Sequence, residues 1–350
     1  MSIFINDRII QSGKLTGVHR YLHSIMAEFP SGSFSTIHPQ FFSAGAKGHF
    51  WEQVILPRML SHNLNEDVLW SPSNTGPITK LKCKHVVTIH DVAAIEHPEW
   101  VTKGFGLLYR HITPRLISNC DAVIAVSEYT KQRLMDLYGL NDDKVHVIHN
   151  GVDERFKYSS CDAAERSLLR QKYGISTDKF ILTLSSIEPR KNIGRLLAAW
   201  EQISSGFSDV TFVIAGVRND KIFSDIGIDR VPENVHFTGY IDDADIVKLY
   251  QSSAGFVYAP LYEGFGLPPL EAMSCGVPVI TSNTTSLPEV VGDAALMVEP
   301  TDINDISSAM SNLLNDSMLA HRLSTAGLKQ AKKFSWGKCA SATYNVLANI

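Results

Sequence analysis

The most distinctive chemical feature of this 350-residue sequence is a pair of glutamates around a glycine-rich turn. Glu263 and Glu271 are separated by seven residues in Y-E-G-F-G-L-P-P-L-E-A-M. Gly264 and Gly266 leave backbone amides uncovered, and the following prolines suit a first helical turn. Free amides at the positive end of a helix dipole favour phosphate, whereas the carboxylates are suited to sugar hydroxyls. The alternative is an ordinary Gly/Pro turn before a helix.

Two further segments place polar residues directly after predicted strands. Arg190 and Lys191 are adjacent cations in S-S-I-E-P-R-K-N-I. Both side chains suit phosphate oxygens, although a solvated surface pair is the alternative. His90 and Asp91 are the last two residues of V-V-T-I-H-D. A neutral imidazole at this position could donate a hydrogen bond to a sugar hydroxyl or accept one from it. With thirteen histidines in the chain, an ordinary loop histidine is the competing interpretation.

A fourth segment, G-K-L-T-G-V-H-R-Y, follows the first predicted strand. Its Gly17 would let the backbone approach a ligand closely. The segment lacks G-x-G-x-x-G, so a nicotinamide fingerprint is absent.

Alternating strand and helix patterns in two blocks position these segments. They predict two doubly wound, Rossmann-like parallel-sheet domains that face a cleft, with ligands at the carboxyl ends of the strands. The predicted domains are residues 1–165 and 166–333, followed by a tail helix within 334–350. The predicted strands are 2–5, 67–70, 85–89, 122–127, 144–148, 180–184, 210–215, 235–237, 255–258 and 277–281.

Composition and charge exclude several classes of protein. Hydrophobic residues make up 44% and charged residues 19%, which is typical of a globular protein and not of a disordered chain or a disulfide-rich miniprotein. There are 32 basic and 36 acidic residues, a net charge of -4. The sequence therefore lacks the basic footprint of a nucleic-acid-binding protein.

Metal, redox and membrane-spanning signals are also missing. The five cysteines include no C-x-x-C and the histidines no H-x-x-x-H, so we expect no metal and a reducing cytoplasm. Asp242–Asp243 suggests a helix N-cap rather than a metal pair. The first apolar stretch is too short for a signal peptide, and no apolar run approaches 18 residues. We therefore expect the protein to meet a membrane only from the side.

Basic and apolar residues are interleaved in part of the first block. This pattern predicts either a solvated face or a surface that rests on anionic lipid. The residues are Lys80, Lys82, Lys84, Trp100, Lys103, Phe105, Leu107, Leu108, Tyr109, Arg110 and Arg115.

Taken together, these segments resemble the retaining glycosyltransferases of family 4, which have the GT-B fold. The hallmark is Glu, seven residues, then Glu, as in Glu263 to Glu271. The segments S-x-E-P-R-K-N, T-I-H-D, H-P-E-W, V-S-E-Y-T, I-H-N-G-V-D and F-S-W also match. The resemblance covers nearly the whole chain and is strongest to bacterial mannosyltransferases that build surface polysaccharide.

The resemblance implies a role for each candidate residue. Arg190 and Lys191 would neutralise the leaving diphosphate, Glu263 would face the donor sugar, Glu271 would hold the ribose, and His90 would contact the sugar near the reacting carbon. Other donor contacts would come from Gly17, Asn150, Tyr240, Ile241, Gly264, Phe265, Gly266 and Leu267. Acceptor contacts would come from Asn74, Asp91 and Trp100, and the helix after Trp336 would cross back onto the first domain.

One position departs from the family pattern: many relatives have an arginine where this chain has Ser185. Arg190 would have to compensate for it. The implied reaction is hexose transfer without a metal or other cofactor, from GDP-mannose or alternatively a UDP-sugar, to a glycan or lipid-linked glycan. It would take place in the cytoplasm, at the inner membrane face for a lipid-linked acceptor. A sugar-nucleotide epimerase and a catalytically silent binding subunit are the competing classes.

Overall fold

A computed structural model describes residues 1–10, 17–39, 45–62, 66–159, 162–184, 188–216 and 231–350. They form two compact units, Met1–Gly151 with Phe334–Ile350, and Val152–Lys333. The division follows Gly151 rather than residue 165. Residues after Gly151 belong to the second unit because Arg155 forms a two-pronged ion pair with Asp243, and Gln251 donates a 2.8 Å hydrogen bond to the Lys157 carbonyl.

The first unit contains a parallel sheet in the order β2-β1-β3-β4-β5-β6. Its described strands are β1 (Ile3–Asn6), β2 (Phe34–Ile37), β3 (Val68–Ser71), β4 (Lys84–Ile89), β5 (Ala122–Ala125) and β6 (Val145–Val147). The helices before β4 are α1 (Gly17–Glu28), α2 (Gly45–Phe50) and α3 (Leu56–Met59), with a π-helical turn at Trp51–Ile55. The later helices are α4 (Ala93–Glu96), α5 (Lys103–Asn119) and α6 (Glu128–Tyr138).

The second unit repeats this arrangement with a sheet in the order β12-β11-β10-β7-β8-β9, again parallel throughout. Its described strands are β7 (Lys179–Leu184), β8 (Val210–Ala215), β9 (Val235–Gly239), β10 (Gly255–Tyr258), β11 (Val279–Ser282) and β12 (Ala295–Val298). Its described helices are α7 (Ala163–Tyr173), α8 (Ile193–Ile203), α9 (Ile246–Ser252), α10 (Leu267–Ser274), α11 (Leu287–Val291), α12 (Ile303–Asn315) and α13 (Ser317–Ala331).

The predicted class, two doubly wound parallel sheets, is confirmed, but the sequence patterns missed one edge strand in each sheet. In β2, F-S-T-I has no buried residue, so the alternation that marks a half-buried strand is absent. In β12, A-L-M-V consists largely of residues that favour helices. Both segments pair with only one neighbouring strand, so their sequences are less constrained by burial than those of the central strands.

Each sheet has a point where the order of its strands reverses. In the first unit this switch lies between β1 and β3, and in the second between β7 and β10. Loops that leave the carboxyl ends of two such strands diverge to opposite sides and leave a crevice between them, where doubly wound proteins bind ligands. The segments after β7 and β10 contain Arg190–Lys191 and Glu263, respectively.

The tail helix α14 (Trp336–Asn349) packs against α1 within the first unit. Tyr21 of α1 is fully buried between Trp70 and Trp336, with ring centroids 6.1 Å from each. Ser335 caps α14 by accepting a hydrogen bond from the Lys338 amide. The F-S-W segment thus supplies a helix cap and an aromatic anchor. Among the described residues, no helix is long and apolar enough to span a membrane.

Gly151 meets this tail so closely that no side chain fits. A Cβ at Gly151 would overlap Trp336 N and Ser335 C and lie 2.7 Å from Trp336 Cα. Because these neighbours are backbone atoms, a rotamer change cannot relieve the overlap. We predict that Gly151→Ala lowers the free energy of unfolding by about 3 kcal/mol, measured by urea unfolding.

Gly104 of α5 provides the matched control. A Cβ there meets nothing within 4 Å, so Gly104→Ala should be neutral or stabilise by up to about 1 kcal/mol. Equal effects of the two substitutions would contradict the tight packing of Gly151 on the tail.

Candidate functional site

Two segments meet at the switch point of the second sheet, the turn after β7 and the loop after β10. The Leu261 amide donates to the Arg190 carbonyl over 2.8 Å. Asn192 has the left-handed backbone that ends this turn, with φ of 62°. Its side-chain amide donates to the carbonyls of Ala259 (2.9 Å) and Pro300 (2.7 Å). These bonds fix the position of the turn relative to the loop.

The centre of the site is a buried cluster of Lys191, Glu263 and Tyr258. The Lys191 ammonium forms an ion pair with Glu263 Oε1 and donates to the Tyr258 hydroxyl over 2.5 Å. The Tyr258 hydroxyl in turn donates to the same Oε1, also over 2.5 Å. Only about a tenth of each charged side chain is exposed. One carboxylate oxygen is therefore held by an ammonium and a phenol that also contact each other.

The protonation of Glu263 follows from these contacts. Burial alone would raise its pKa, but the Lys191 and Arg190 charges, together with hydrogen bonds from Lys191 and Tyr258, outweigh burial and hold the pKa below its usual value. Burial, and then the Glu263 charge, raise the pKa of Tyr258 well above 10. Near neutral pH the cluster therefore contains a carboxylate and a neutral phenol, so Glu263 can accept hydrogen bonds but cannot supply a proton.

Arg190 is the second cation at this edge of the sheet. Its Nε donates to Glu188 over 3.0 Å, and its guanidinium lies 3.5 Å from Glu263 Oε1. About a quarter of its side chain is exposed, against a tenth for Lys191. Lys191 is thus the fixed cation of the pair, and Arg190 the one that reaches solvent.

The backbone of the glycine-rich loop requires a glycine at Gly266. Gly266 has φ of 107°, and a Cβ there would lie 2.5 Å from Leu287 Cδ2, so a residue with a side chain would be strained. The buried Ser286 hydroxyl lies 3.0 Å from the carbonyls of Glu263 and Phe265. Helix α10 begins at Leu267 and has no side-chain cap. Its amino end therefore follows directly from the loop that holds Glu263.

Glu271 lies within α10 and has a separate partner. Its side chain is buried, and Oε2 accepts a 3.2 Å hydrogen bond from the Tyr250 hydroxyl. Tyr240 and Ile241 follow β9, with Tyr240 69% exposed and Ile241 buried.

The predicted N-cap role of Asp242–Asp243 is wrong. Helix α9 begins at Ile246, whereas Asp242 pairs with Lys172 and Asp243 with Arg155. Both carboxylates form ion pairs with basic side chains instead of capping the helix. In the described part of the chain, no group of three or more His, Cys, Asp or Glu side chains is arranged to hold a metal ion.

In the first unit the structure brings His90, Asn74 and Asp91 together. The Asn74 side chain accepts from the His90 amide (2.7 Å) and donates to the Asp91 carbonyl (3.1 Å). His90 Nε2 lies 2.9 Å from the Pro72 carbonyl, which can only accept, so Nε2 carries the proton. Burial lowers the pKa of His90, against the opposing effects of that bond and of Asp91. The neutral ring therefore keeps Nδ1 as an acceptor.

The remaining predicted residues of the first unit occupy different places. Gly17 begins α1 and is exposed. Asn150 is buried, with no hydrogen-bond partner for Oδ1 in the described residues. Trp100 stacks on His97, with ring centroids 3.9 Å apart. Ser185, the position of the missing family arginine, lies outside the described residues.

Sequence patterns missed four residues that hold the site together: Tyr258, Tyr250, Asn192 and Ser286. Tyr258 ends a fully buried apolar strand and resembles a core tyrosine, and Tyr250 lies on the buried face of α9. Only the position of Asn192, directly after two cations and before a helix, gave a usable signal. The partners of all four depend on strand order, which a linear pattern does not contain.

Comparison with known families agrees with this geometry. Residues 165–330 match the family model described as glycosyl transferases group 1, and residues 36–156 match that of glycosyltransferase family 4. The O-antigen chain mannosyltransferase B of Escherichia coli is 33% identical over 264 residues, covering 74% of this chain and 69% of that protein. The serotype-specific mannosyltransferase WbdA of E. coli is 35% identical over 228 residues, but the match spans only 28% of its length.

Solved structures share the fold at lower identity. Anabaena Alr3699/HepE in complex with UDP-glucose has a TM-score of 0.74 at 19% identity, and both chains are covered completely. WaaG, a glycosyltransferase involved in lipopolysaccharide biosynthesis, has a TM-score of 0.71 at 16% identity and equally full coverage. The fold is therefore that of the GT-B glycosyltransferases. The chain belongs to the group 1 and family 4 glycosyltransferases.

The buried ion pair gives a prediction for stability. In Lys191→Met, Glu263 keeps its burial but loses its main compensating charge, so its pKa should rise. Removing one member of a buried pair should lower the free energy of unfolding of the second unit by about 3–5 kcal/mol near neutral pH. The free energies of unfolding of the variant and the wild type are measured with urea from about pH 3, near the titration range of glutamate, to about pH 8.

The sign of the pH dependence is an independent check. Because the pKa of Glu263 is lowered in the folded protein, its stabilisation is present above the unfolded pKa and is lost as the pH falls through the folded one. The variant should lack this loss. Lys172→Met is the control, since about half of the Lys172 side chain is exposed where it pairs with Asp242 and Asp245, so its removal should matter little. Equal effects of the two substitutions would contradict the assigned burial.

Proposed function

We propose that the chain transfers a hexose, mannose from GDP-mannose, to a glycan or lipid-linked glycan acceptor, with retention and without a metal. The observation that carries the proposal is the buried Lys191–Glu263–Tyr258 cluster, beside Arg190, at the switch point of the second sheet. Doubly wound folds bind nucleotides at this edge. The mannosyltransferase names of the E. coli relatives support the choice of sugar.

Arg190, Lys191 and the amino end of α10 supply the positive charge that a leaving diphosphate requires. Charge arranged in advance where negative charge develops can supply several kcal/mol of transition-state stabilisation. We assign this role, which metal ions have in many other transferases, to the two cations. In the free protein their charges are partly balanced by Glu188 and Glu263, so the diphosphate would share cations that are already positioned.

Glu263 acts in this proposal as a hydrogen-bond acceptor for the donor sugar. Its lowered pKa keeps it ionised, which excludes it as a general acid. Its ion pair with Lys191 also reduces its strength as a nucleophile. A same-face attack, in which the leaving phosphate takes the acceptor proton, therefore suits this site better than the carboxylate intermediate of typical retaining glycosidases.

The other contacts are those that the resemblance to family 4 implies. Glu271, placed within α10 and held by Tyr250, would accept hydrogen bonds from the ribose hydroxyls, and the base would rest near Tyr240 and Ile241. Amides of Gly264 to Leu267 would face the sugar and diphosphate. Neutral His90, with Nδ1 as acceptor, would bind a sugar hydroxyl. Gly17 and Asn150 remain donor-side assignments, and Asn74, Asp91 and Trp100 acceptor-side ones.

A donor panel tests the proposal. GDP-mannose, GDP, UDP-glucose and UDP are each added to the protein, and the melting temperature and release of nucleoside diphosphate are measured. GDP-mannose should raise the melting temperature most and should transfer mannose to a mannan or lipid-linked glycan in the presence of EDTA. A UDP-sugar preference would replace GDP-mannose as the donor, and no response to any sugar nucleotide would overturn the donor site.

Matched variants separate an enzyme from the competing classes. Lys191→Ala should lower kcat by about 10²–10³, the cost of removing one charge-stabilising group. Lys172→Ala should keep wild-type activity because Lys172 is half exposed and pairs with Asp242 and Asp245, which lie outside the cluster. Conversion of the donor alone to an epimeric sugar would instead identify an isomerase. Unchanged biological activity of Lys191→Ala would indicate a binding subunit.

A further inference from the structure

Tyr21 of α1 lies directly against the ring of His90. The two ring centroids are 4.7 Å apart and the ring planes are perpendicular, which is an edge-to-face geometry that aromatic rings prefer. Tyr21 is 1% exposed, whereas His90 is only partly buried. His90 therefore packs on a side chain that is itself enclosed in the core of the first unit.

Several contacts fix the Tyr21 side chain in this position. Its hydroxyl lies 3.2 Å from the Thr88 hydroxyl, which also accepts a 3.0 Å hydrogen bond from the Trp70 indole. Its ring makes edge contacts with Trp70 and with Trp336, each with centroids 6.1 Å apart. Because Trp336 is the first residue of α14, the tail helix takes part in holding Tyr21.

Tyr21 also contacts the end of β4 at two points. Thr88 and His90 are two residues apart, the spacing at which side chains of an extended chain lie on one face. Tyr21 bonds to Thr88 through its hydroxyl and packs on His90 through its ring. The hydrogen bond to Thr88 therefore fixes where the Tyr21 ring meets His90.

The packing on Tyr21 adds to one polar contact of the His90 ring. In the described part of the chain, that contact is the 2.9 Å hydrogen bond between Nε2 and the Pro72 carbonyl. One hydrogen bond allows the ring to pivot about the line that joins its two atoms, whereas a neighbouring aromatic ring restricts this rotation. The direction of Nδ1, the acceptor nitrogen, is therefore set by Tyr21 as well as by Pro72.

The chemistry of Tyr21 limits how it can act on His90. Burial raises the pKa of Tyr21 well above 10, so the phenol is neutral near neutral pH. Its hydroxyl contacts Thr88, and only its ring contacts His90. Tyr21 therefore acts on His90 through packing and not through proton transfer.

We propose that Tyr21 is a positioning residue for His90, and that the tail holds Tyr21 through Trp336. The inference rests on the proposed function, in which Nδ1 of His90 accepts a hydrogen bond from a sugar hydroxyl. A displacement of about 1 Å in such a group can lower the rate on the order of 100-fold. The tail helix thus contributes to the reaction through a buried aromatic contact.

Two substitutions separate the Tyr21 ring from its hydroxyl. Tyr21→Leu removes the ring and should lower kcat about tenfold or more. The KM for the donor should change little, because the donor contacts assigned to the second unit remain. Tyr21→Phe keeps the ring and should retain most of the wild-type kcat. Release of nucleoside diphosphate measures both constants, and Tyr21→Met carries the same expectations as Tyr21→Leu if the leucine variant does not fold.

A double-mutant cycle distinguishes positioning from a general loss of stability. His90→Ala removes the group that Tyr21 positions, so adding Tyr21→Leu to it should lower kcat no further, whereas independent roles would multiply the two losses. Phe29→Leu is the matched control, because Phe29 is also buried and its ring packs on Trp70 and on Tyr344 of the tail. It should lower the melting temperature about as much as Tyr21→Leu and leave kcat unchanged.

An NMR titration tests the contact without donor or acceptor, so its outcome is independent of the proposed activity. The His90 signals of protein with isotope-labelled histidine are those that the His90→Ala variant lacks. Burial is the main cause that lowers the pKa of His90. Tyr21→Leu opens the ring to water, so this pKa should rise toward about 6.5, whereas Tyr21→Phe and Phe29→Leu should leave it in place.

Three results would each overturn the proposal: an unchanged His90 pKa in Tyr21→Leu, multiplied losses in the cycle, or an equal loss of kcat in Phe29→Leu. A pKa that moves as expected in a protein without transferase activity would instead support the contact and count against the proposed function.

Discussion

The ion pair between Lys191 and Glu263 is the constraint on which the site of the second unit depends. Two charges that are nine-tenths buried lose most of their hydration, and this loss is tolerable only when they compensate each other and their remaining hydrogen bonds are made. Tyr258 supplies one such bond, and Asn192 and Ser286 hold the two loops that carry the charges. The geometry of the site therefore follows from the requirement that neither charge be buried alone.

Strand order is what allows this pair to form. Lys191 and Glu263 are far apart in the sequence, but β7 and β10 are adjacent strands at the point where the sheet reverses its order. The same principle places Asn74 and His90 together after β3 and β4 in the first unit. In each case, the polar residues that follow one strand bond to residues at the end of the adjacent strand.

The sequence predicted the class of fold, the central strands and the motifs at their carboxyl ends, because buried β-branched runs and Gly, Pro and charged residues after them are local signals. It missed β2 and β12, whose patterns are weak at the sheet edges, and placed the unit boundary too late because the contacts of Arg155 and Lys157 are long-range. It identified Glu263 and Lys191 individually. Their direct contact, and the part of Tyr258 in it, depend on strand adjacency and burial that no spacing rule contains.

A crystal structure of the chain with GDP-mannose, or with GDP and a non-transferable sugar, tests the central claim most directly. The account predicts diphosphate oxygens within about 3 Å of the Arg190 and Lys191 nitrogens. It also predicts the ribose hydroxyls on Glu271, with Glu263 still paired to Lys191. A nucleotide bound away from this edge of the second sheet, or a diphosphate out of reach of both cations, would contradict it.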